Sequence, residues 1–573
     1  MSRAAHRPLA ALAMAGAVAL TGTWVAAAPS ADEAGRSIPG DASIAPPAGR
    51  TPAGATAADE MITFDVVLQV PGRQQLAAFL AGLHDPSSAD YRRYLSVGDL
   101  GQRFGLPGPV IDEVVERLAD AGLELVRRDM ERTFLTVRGT AAAVNAYLDV
   151  ELQDYTDDTY GPFHRPDREP TIADELSHAV MGVTGLDTTP RLRPLFRTPL
   201  ADVPVGGLKP TDVALAYDIA PLHAAGINGA GQTIAIVSFD TFLDSDVAAY
   251  DAQVGLTGLP QVEKRFVPSD YVPVRGSGTG EVNLDIDVVR SVAPMAQIVD
   301  YEGANGQGFG PIMSAILEDG RADIVSISWG RCEADKDALS RALDDIQFDA
   351  AFAQGITVFV ASGDVGAYGC NHSLFEGDLR VSPDYPSANP SLVSVGGTFL
   401  WVRQDGTYLD EAAWEGSLST VGTGGGRSAN YPRPAWQVAP GVDIAAGAAR
   451  QIPDVAGPAD PETGFLVVYT AIGEGGPSLN VSGGTSAAAP FWAASTVLVR
   501  QVAEQQGVGP LGALGPLLYE LAATPTTPAI FHDVTRGGNL LDAAAPGWDA
   551  ATGLGSPDVT VLANAVVDRL RNR

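Results

Sequence analysis

The chain is short of four things, and each shortage removes a class of function. Cysteine occurs only at Cys332 and Cys370 in 573 residues, histidine occurs seven times, and 37 lysines and arginines face 69 aspartates and glutamates, for a formal net charge of -32. Two cysteines alone cannot build a tetrahedral zinc site, and neither has the surroundings of a thiol nucleophile. Without a basic surplus the chain has little with which to neutralise phosphates, so no nucleic-acid partner is expected. Beyond residue 28 no segment approaches the ~20 apolar residues of a membrane-spanning helix.

What is present begins with a leader. Arg3 and Arg7 precede a mostly apolar run over residues 9–25 and the small-residue site Ala26-Ala27-Ala28, so residues 1–28 read as a secretory signal and the mature chain as secreted, extracellular and free of the membrane. In an oxidising compartment the cysteine pair reads as a disulfide, with two buried thiols as the alternative. Residues 29–58 have the Ala/Pro/Gly/Ser composition of a flexible linker. From residue 59 strand-like runs at 62–68, 123–126, 134–137 and 150–153 alternate with helical spacing at 74–83, 110–121 and 141–148, which predicts an α+β domain of ferredoxin-like, split βαβ type to residue 188. Residues 189–205 interleave prolines with Arg191, Arg193 and Arg197 and read as an exposed, cleavable linker. Beyond them, short apolar runs at 233–239, 298–301, 324–328 and 357–361 end in Gly, Ser or Asp. They predict an α/β domain over 206–573 on a doubly wound parallel sheet, with functional groups at the strands' carboxyl ends.

The segment Ser482-Gly483-Gly484-Thr485-Ser486-Ala487-Ala488-Ala489-Pro490 opens an apolar helix. A serine in the first helical turn lies beside unpaired N–H groups that favour developing negative charge, although a plain N-cap reads the same way. The Gly-Thr-Ser-x-x-x-Pro pattern resembles the nucleophile motif of the subtilisin-like fold. The histidine base of that fold, in its His-Gly-Thr-His setting, is missing; His223, His372 and His532 lie in the second domain without it, and His372 is the remaining histidine candidate. Instead, Glu281 and Asp285 stand four apart at the start of a predicted helix reaching residue 292. They share a face, and like charges so close favour one shared proton; a solvated acidic helix is the alternative. Ala361-Ser362-Gly363-Asp364 ends an apolar strand in an aspartate that, protonated, can donate to an oxyanion, or that simply makes an Asx-turn.

Together these positions resemble the sedolisin family of serine-carboxyl peptidases, of kumamolisin type, over nearly the whole chain. Further matches are Asp85-Pro86-x-Ser88-x-x-Tyr91, Ser326-Ile327-Ser328-Trp329-Gly330, Gly396-Gly397-Thr398 and Pro453-Asp454-Val455-Ala456. The resemblance implies a secreted, acid-active endopeptidase made as a zymogen, with residues 59–188 as activation prodomain and intramolecular inhibitor and with protein or peptide substrates. A monomer is expected. By resemblance Ser486 attacks the scissile carbonyl, Glu281 takes its proton, Asp285 supports Glu281, and Asp364 stabilises the oxyanion. Trp329 packs beside them, and Ser238 and Asp240 stand near the place of a further acid in the family. One structural Ca²⁺ is implied on the side chains of Asp533 and Asp549 and the carbonyls of Val534, Ala545 and Gly547, oxygen ligands that suit a hard cation. Asp384 is carried over as lining the primary pocket and favouring a basic residue. The competing readings are an inactive peptide-binding relative and a His-dependent subtilisin-like hydrolase.

Overall fold

The computed structural model describes residues 36–37, 51–157, 161–172, 174–198, 207–371, 378–416, 421–524 and 527–572. The leader, most of the 29–58 linker, residues 199–206 and His372 lie outside them. In the first domain four antiparallel strands stand in the order Glu124–Arg128, Phe134–Thr140, Met61–Leu68, Val180–Thr184. Helices Gly108–Asp120 and Ala141–Leu148 cover one face of them, giving the ferredoxin-like order expected from the sequence. The second helix starts where Thr140, its N-cap, accepts the Ala143 N–H at 3.2 Å. The period of two sends Phe64, Val66 and Leu68 into this domain's own core with Ile111, Val114 and Leu118, while Val67 joins the core of the second domain. One strand thus serves two cores. The sequence reading missed the strand Gly161–Pro166, whose Pro162 and Pro166 disguise it, and the short fourth strand of the sheet.

The second domain is built on eight strands. Parallel strands run Glu263–Val267, Gln297–Gly303, Thr233–Ser238, Ile324–Ile327, Thr357–Ala361, Val393–Val402, and Val455–Pro458 pairs with the last of these, which Tyr408–Ala413 also flanks antiparallel. The chain starts on a central strand, moves to one edge, returns, and then builds the other side. That reversal puts a crevice at the carboxyl ends of Thr233–Ser238 and Ile324–Ile327. The apolar helices Thr279–Val292 and Thr485–Gln505 pack together against the sheet, and all 14 residues of the first are buried.

The prodomain-like unit sits on helices Gly310–Asp319 and Ala338–Ala353. Ser314 Oγ donates to Asp129 at 2.6 Å, Gln347 Nε2 donates to Thr133 at 2.6 Å, and Arg127 pairs with Glu318 at 2.9 Å. Phe79, Phe104 and Phe134 belong to the larger domain's core. Cys332 and Cys370 are joined in a disulfide with Cα atoms 4.6 Å apart. Among the described residues no helix is long and apolar enough to cross a membrane.

Candidate active site

Ser486 is the second residue of the helix Thr485–Gln505 and is fully buried. Gly484 before it has φ +97, and a Cβ there would stand 2.3 Å from the Leu195 carbonyl oxygen and 2.8 Å from Asp364 Oδ2, so only glycine lets the chain pass. Pro490, four residues after Ser486, has no N–H to give the Ser486 carbonyl. Ser328 Oγ stands 3.2 Å from that freed oxygen and 2.5 Å from Asp285 Oδ1. One hydroxyl proton cannot serve both acceptors; a protonated Asp285 donating to Ser328 satisfies all three groups. Ser486 Oγ itself lies 3.3 Å from the Ser328 carbonyl.

Glu281 and Asp285, one helical turn apart, both point into this crevice and are fully buried. Burial pushes Glu281 well above the usual carboxylate range, the Asp285 charge adds to that, and the neighbouring Ser486 hydroxyl pulls the other way. Burial does the same to Asp285, against the Ser328 hydroxyl. Both are shut off from water and neither is in an ion pair among the described residues, so burial and the neighbouring like charge favour the protonated form of one of them. Asp287, two residues on, faces away and accepts the Val468 N–H at 2.9 Å.

Asp364 follows the strand Thr357–Ala361. Its Oδ1 accepts from Thr485 N–H at 2.8 Å and Thr485 Oγ1 at 2.9 Å, which fixes the carboxyl beside the start of the nucleophile helix. Its other oxygen lies 3.3 Å from Arg197 Nε. Burial raises it from 3.8 to about 6, with Arg197 and Thr485 holding it down. Trp329 is buried edge-on to Phe239, centroids 5.7 Å apart.

Ser238, near the place where a further acid is expected, is bonded to an acid of the neighbouring strand. Ser238 Oγ donates to Asp300 Oδ1 at 2.5 Å, and Asp300 is buried within the strand Gln297–Gly303. Its carboxyl is raised by burial, then by the charge of Glu302, two residues on, with a smaller contribution from Asp285. Asp240 instead accepts from the N–H groups of Gly276 and Gly278 at 2.8 Å and so shapes the loop that leads into the Glu281 helix. The sequence reading missed Asp300 and Glu302, although two acids at alternate positions of an otherwise largely apolar inner strand were a visible signal.

The sequence also gave no hint of what fills the crevice. Residues 191–197 run through it. Leu195 N–H donates to the Ser328 carbonyl at 3.1 Å, Ser486 N–H donates to the Leu195 carbonyl at 3.3 Å, and Arg197 exchanges bonds with Gly483 at 3.0 and 2.8 Å. Arg193 and Pro194 pair antiparallel with Gly330 and Trp329. The Leu195–Phe196 peptide therefore faces Ser486. Arg193 Nη2 meets both Asp384 oxygens, at 2.7 and 2.9 Å, so the basic side chain opposite Asp384 here stands two residues before Leu195, not at Leu195 as a primary-pocket role for Asp384 would have it.

At the far end of the helix layer, both oxygens of Asp533 lie 3.1 Å from the single N–H of Gly547, and Asp549 Oδ2 accepts the Ala545 N–H at 2.9 Å. Two carboxylates thus grip one Gly-containing turn. A donor set of carboxylates and loop carbonyls fits Ca²⁺. Trp548 ties the turn to the Pro453 carbonyl at 2.8 Å, and Trp492 ties the nucleophile helix to the Ala456 carbonyl at 2.6 Å, so this loop braces the helix through one strand. His532 stacks on Tyr408 with centroids 3.7 Å apart, and His223 bonds the Val292 carbonyl at 2.9 Å; neither histidine has a hydrogen bond or ring contact to Ser486.

A buried serine at a helix start, beside paired carboxyls on a subtilisin-like α/β sheet, defines a serine-type peptidase. Residues 48–189 match the family model of the pro-kumamolisin activation domain, and residues 276–513 match that of the subtilase family. Kumamolisin of Bacillus sp. (strain MN-32) is 36% identical over 482 residues, 78% of this chain and 82% of that one. Tripeptidyl-peptidase 1 of Homo sapiens is 25% identical over 561 residues, 89% and 92% of the two chains. The structure of Pseudomonas sedolisin, a serine-carboxyl proteinase complexed with two molecules of pseudo-iodotyrostatin, superposes with a TM-score of 0.55 at 27% identity, covering 63% of this chain and 98% of that one. The chain belongs to the sedolisin family and is kumamolisin-like.

Proposed function

We propose that this chain is the zymogen of a secreted, monomeric, acid-active serine-carboxyl endopeptidase whose linker lies in the cleft as its first substrate. The observation that carries the reading is the Ser486 N–H bond to the Leu195 carbonyl, in a segment held as an added strand on both sides of that residue. Ser486 Oγ attacks the carbonyl carbon and its proton passes to Glu281. The tetrahedral oxyanion receives the Ser486 N–H and the proton of a neutral Asp364. Collapse breaks the C–N bond as Glu281 returns the proton to the departing amine, and water, deprotonated by Glu281, then releases the acyl group from Ser486. Asp285 keeps its own proton throughout and, through Ser328, fixes the Ser486 backbone.

Acid sets the working range because Asp364 must stay protonated to donate. Burial raises its carboxyl to about 6 with Arg197 docked, which supports activity that falls as pH rises through that range. Asp384 takes a basic side chain two residues before the one at the nucleophile. One Ca²⁺ would be held by Asp533 and Asp549 with the carbonyls of Val534, Ala545 and Gly547, and would supply rigidity to the loop behind the nucleophile helix. The test is hydrolysis of denatured protein from pH 2 to 8 by wild type, Ser486→Ala and Glu281→Gln. An acid optimum lost in both variants supports the reading. Wild-type-like hydrolysis by Glu281→Gln would return the base to a histidine, and a wild type that is processed but inert would make it a peptide-binding relative.

A further inference from the structure

Upstream of Arg193 the linker leaves the strand pairing with Gly330, and a single side chain takes over. Asn305 opens the one-turn helix Asn305–Gln307, just past the end of the strand Gln297–Gly303. Its Oδ1 accepts the Leu192 N–H at 2.8 Å and the Arg191 N–H at 2.9 Å, while its Nδ2 donates to the Leu192 carbonyl at 2.8 Å. These three bonds go to backbone alone. They match an extended residue's N–H and C=O as a neighbouring strand would, and they do not depend on the leucine side chain.

Counted from the Leu195–Phe196 bond, Leu192 is the fourth residue on the amino side. We infer that Asn305 is a specificity-determining residue of the mature enzyme, a clamp for the backbone of the fourth substrate residue before the cleaved bond. The inference rests on the reading of the linker as a docked substrate. Because the contact is to main chain, any peptide that follows the linker's path can make it, and a substrate with only three residues before the bond forfeits the donated N–H groups. A cavity of about 1020 Å³ opens beside Pro194 on one side of the same stretch, lined by Trp329, Phe239, Asn305 and the prodomain strand residue Phe64, while Arg193 and Pro194 are held on the other side by Gly330 and Trp329. The clamp is then the outermost fixed point of the amino side of the cleft. It favours cutting within chains over the release of tripeptides.

The test uses acid-activated enzyme and peptides copied from the linker. Acetyl-Arg-Pro-Leu-Phe-Arg supplies a carbonyl at the fourth position without its residue, and acetyl-Leu-Arg-Pro-Leu-Phe-Arg supplies that residue's N–H as well. The readout is the ratio of their kcat/KM values. The peptides differ by the one N–H donated to Asn305 Oδ1, and one net hydrogen bond predicts a ratio of roughly two to thirteen in wild type, falling toward one in Asn305→Ala and staying near the wild-type ratio in Asn305→Asp, which keeps that acceptor and loses only the donor to the carbonyl both peptides share. A wild-type ratio near one, or the same ratio in wild type and Asn305→Ala, overturns the clamp. Should the variants fail to fold, the longer peptide with an ester oxygen in place of the leucine N–H tests the same bond in wild type. Most of the gain should vanish, and full retention contradicts the inference. Cleavage of neither peptide by an enzyme active on protein would overturn the linker as substrate, which separates that failure from a failure of the clamp alone.

Discussion

Two buried carboxylates in this domain each stand four residues from a charged partner and do opposite things. Asp454 meets Arg450 in a pair fully shielded from solvent, with Tyr519 Oη at 2.9 Å and the Ser394 N–H at 2.8 Å closing its remaining valences. Asp285 stands equally far along the chain from Glu281, equally shielded, and its partner is another acid. Where a cation is present the charge is balanced and the site is scaffold. Where it is absent, desolvation favours the protonated form of one acid, and no partner charge balances the other. Burial alone therefore does not set the two carboxylates apart; the charge of the partner four residues away does.

The sharpest way to break the comparison is to disable the acid pair while leaving the ion pair intact. Glu281→Gln and Ser486→Ala are each expected to lower kcat/KM on peptides by roughly a thousandfold or more, with thermal stability held near wild type. A loss below tenfold for Glu281→Gln would remove the base from the account. The converse is Arg450→Met, which leaves Asp454 buried without its cation. It should destabilise by about 3–5 kcal/mol in chemical denaturation, and unchanged stability would show that the pair is not structural.

Next in size is the oxyanion acid. Asp364→Ala should cost roughly a hundredfold or more in kcat. Asp364→Asn, a donor at every pH, should keep more activity and no longer lose it as pH rises through about 6; an unaltered alkaline limb in that variant would assign the titration elsewhere. Arg197 lowers the Asp364 value, so Arg197→Ala should raise it and move the upper limit of self-processing to higher pH by up to about one unit. A shift downward would contradict the pairing.

The smallest effects concern stability. Asp349, Asp364 and Asp460 are raised by burial from 3.8 to about 6, and Asp345 to about 7. A folded value above the unfolded one gives stability that is complete below the unfolded value and is lost as pH rises through the folded value. The Tm should therefore fall between pH 4 and pH 7, and a flat or rising Tm would argue against unbalanced burial. Chelation of calcium should lower Tm by several degrees, and Asp533→Ala should abolish that sensitivity.

Much of this was legible in the sequence, for reasons that differ by region. The apolar runs at 233–239 and 324–328 declare buried strands because both their faces are covered, and Gly484 and Pro490 mark the nucleophile because the backbone there needs a positive φ and a freed carbonyl. The spacing of Glu281 and Asp285 gave one helix face but not its burial, which depends on the packing of Thr485–Gln505 against it. Asp300 escaped because its link to Ser238 crosses 62 residues and two strands. The docking of residues 191–197, and with it Asn305, could not be read at all, since it depends on the path of a proline-rich segment with no period of its own.

The most direct measurement is acid incubation of the purified full-length chain with N-terminal sequencing of the products, alongside Ser486→Ala. The account predicts a first cut that leaves Phe196 as the new amino terminus in wild type and none in the variant. Processing of the purified variant by itself, or a first cut at a bond other than Leu195–Phe196, would contradict it.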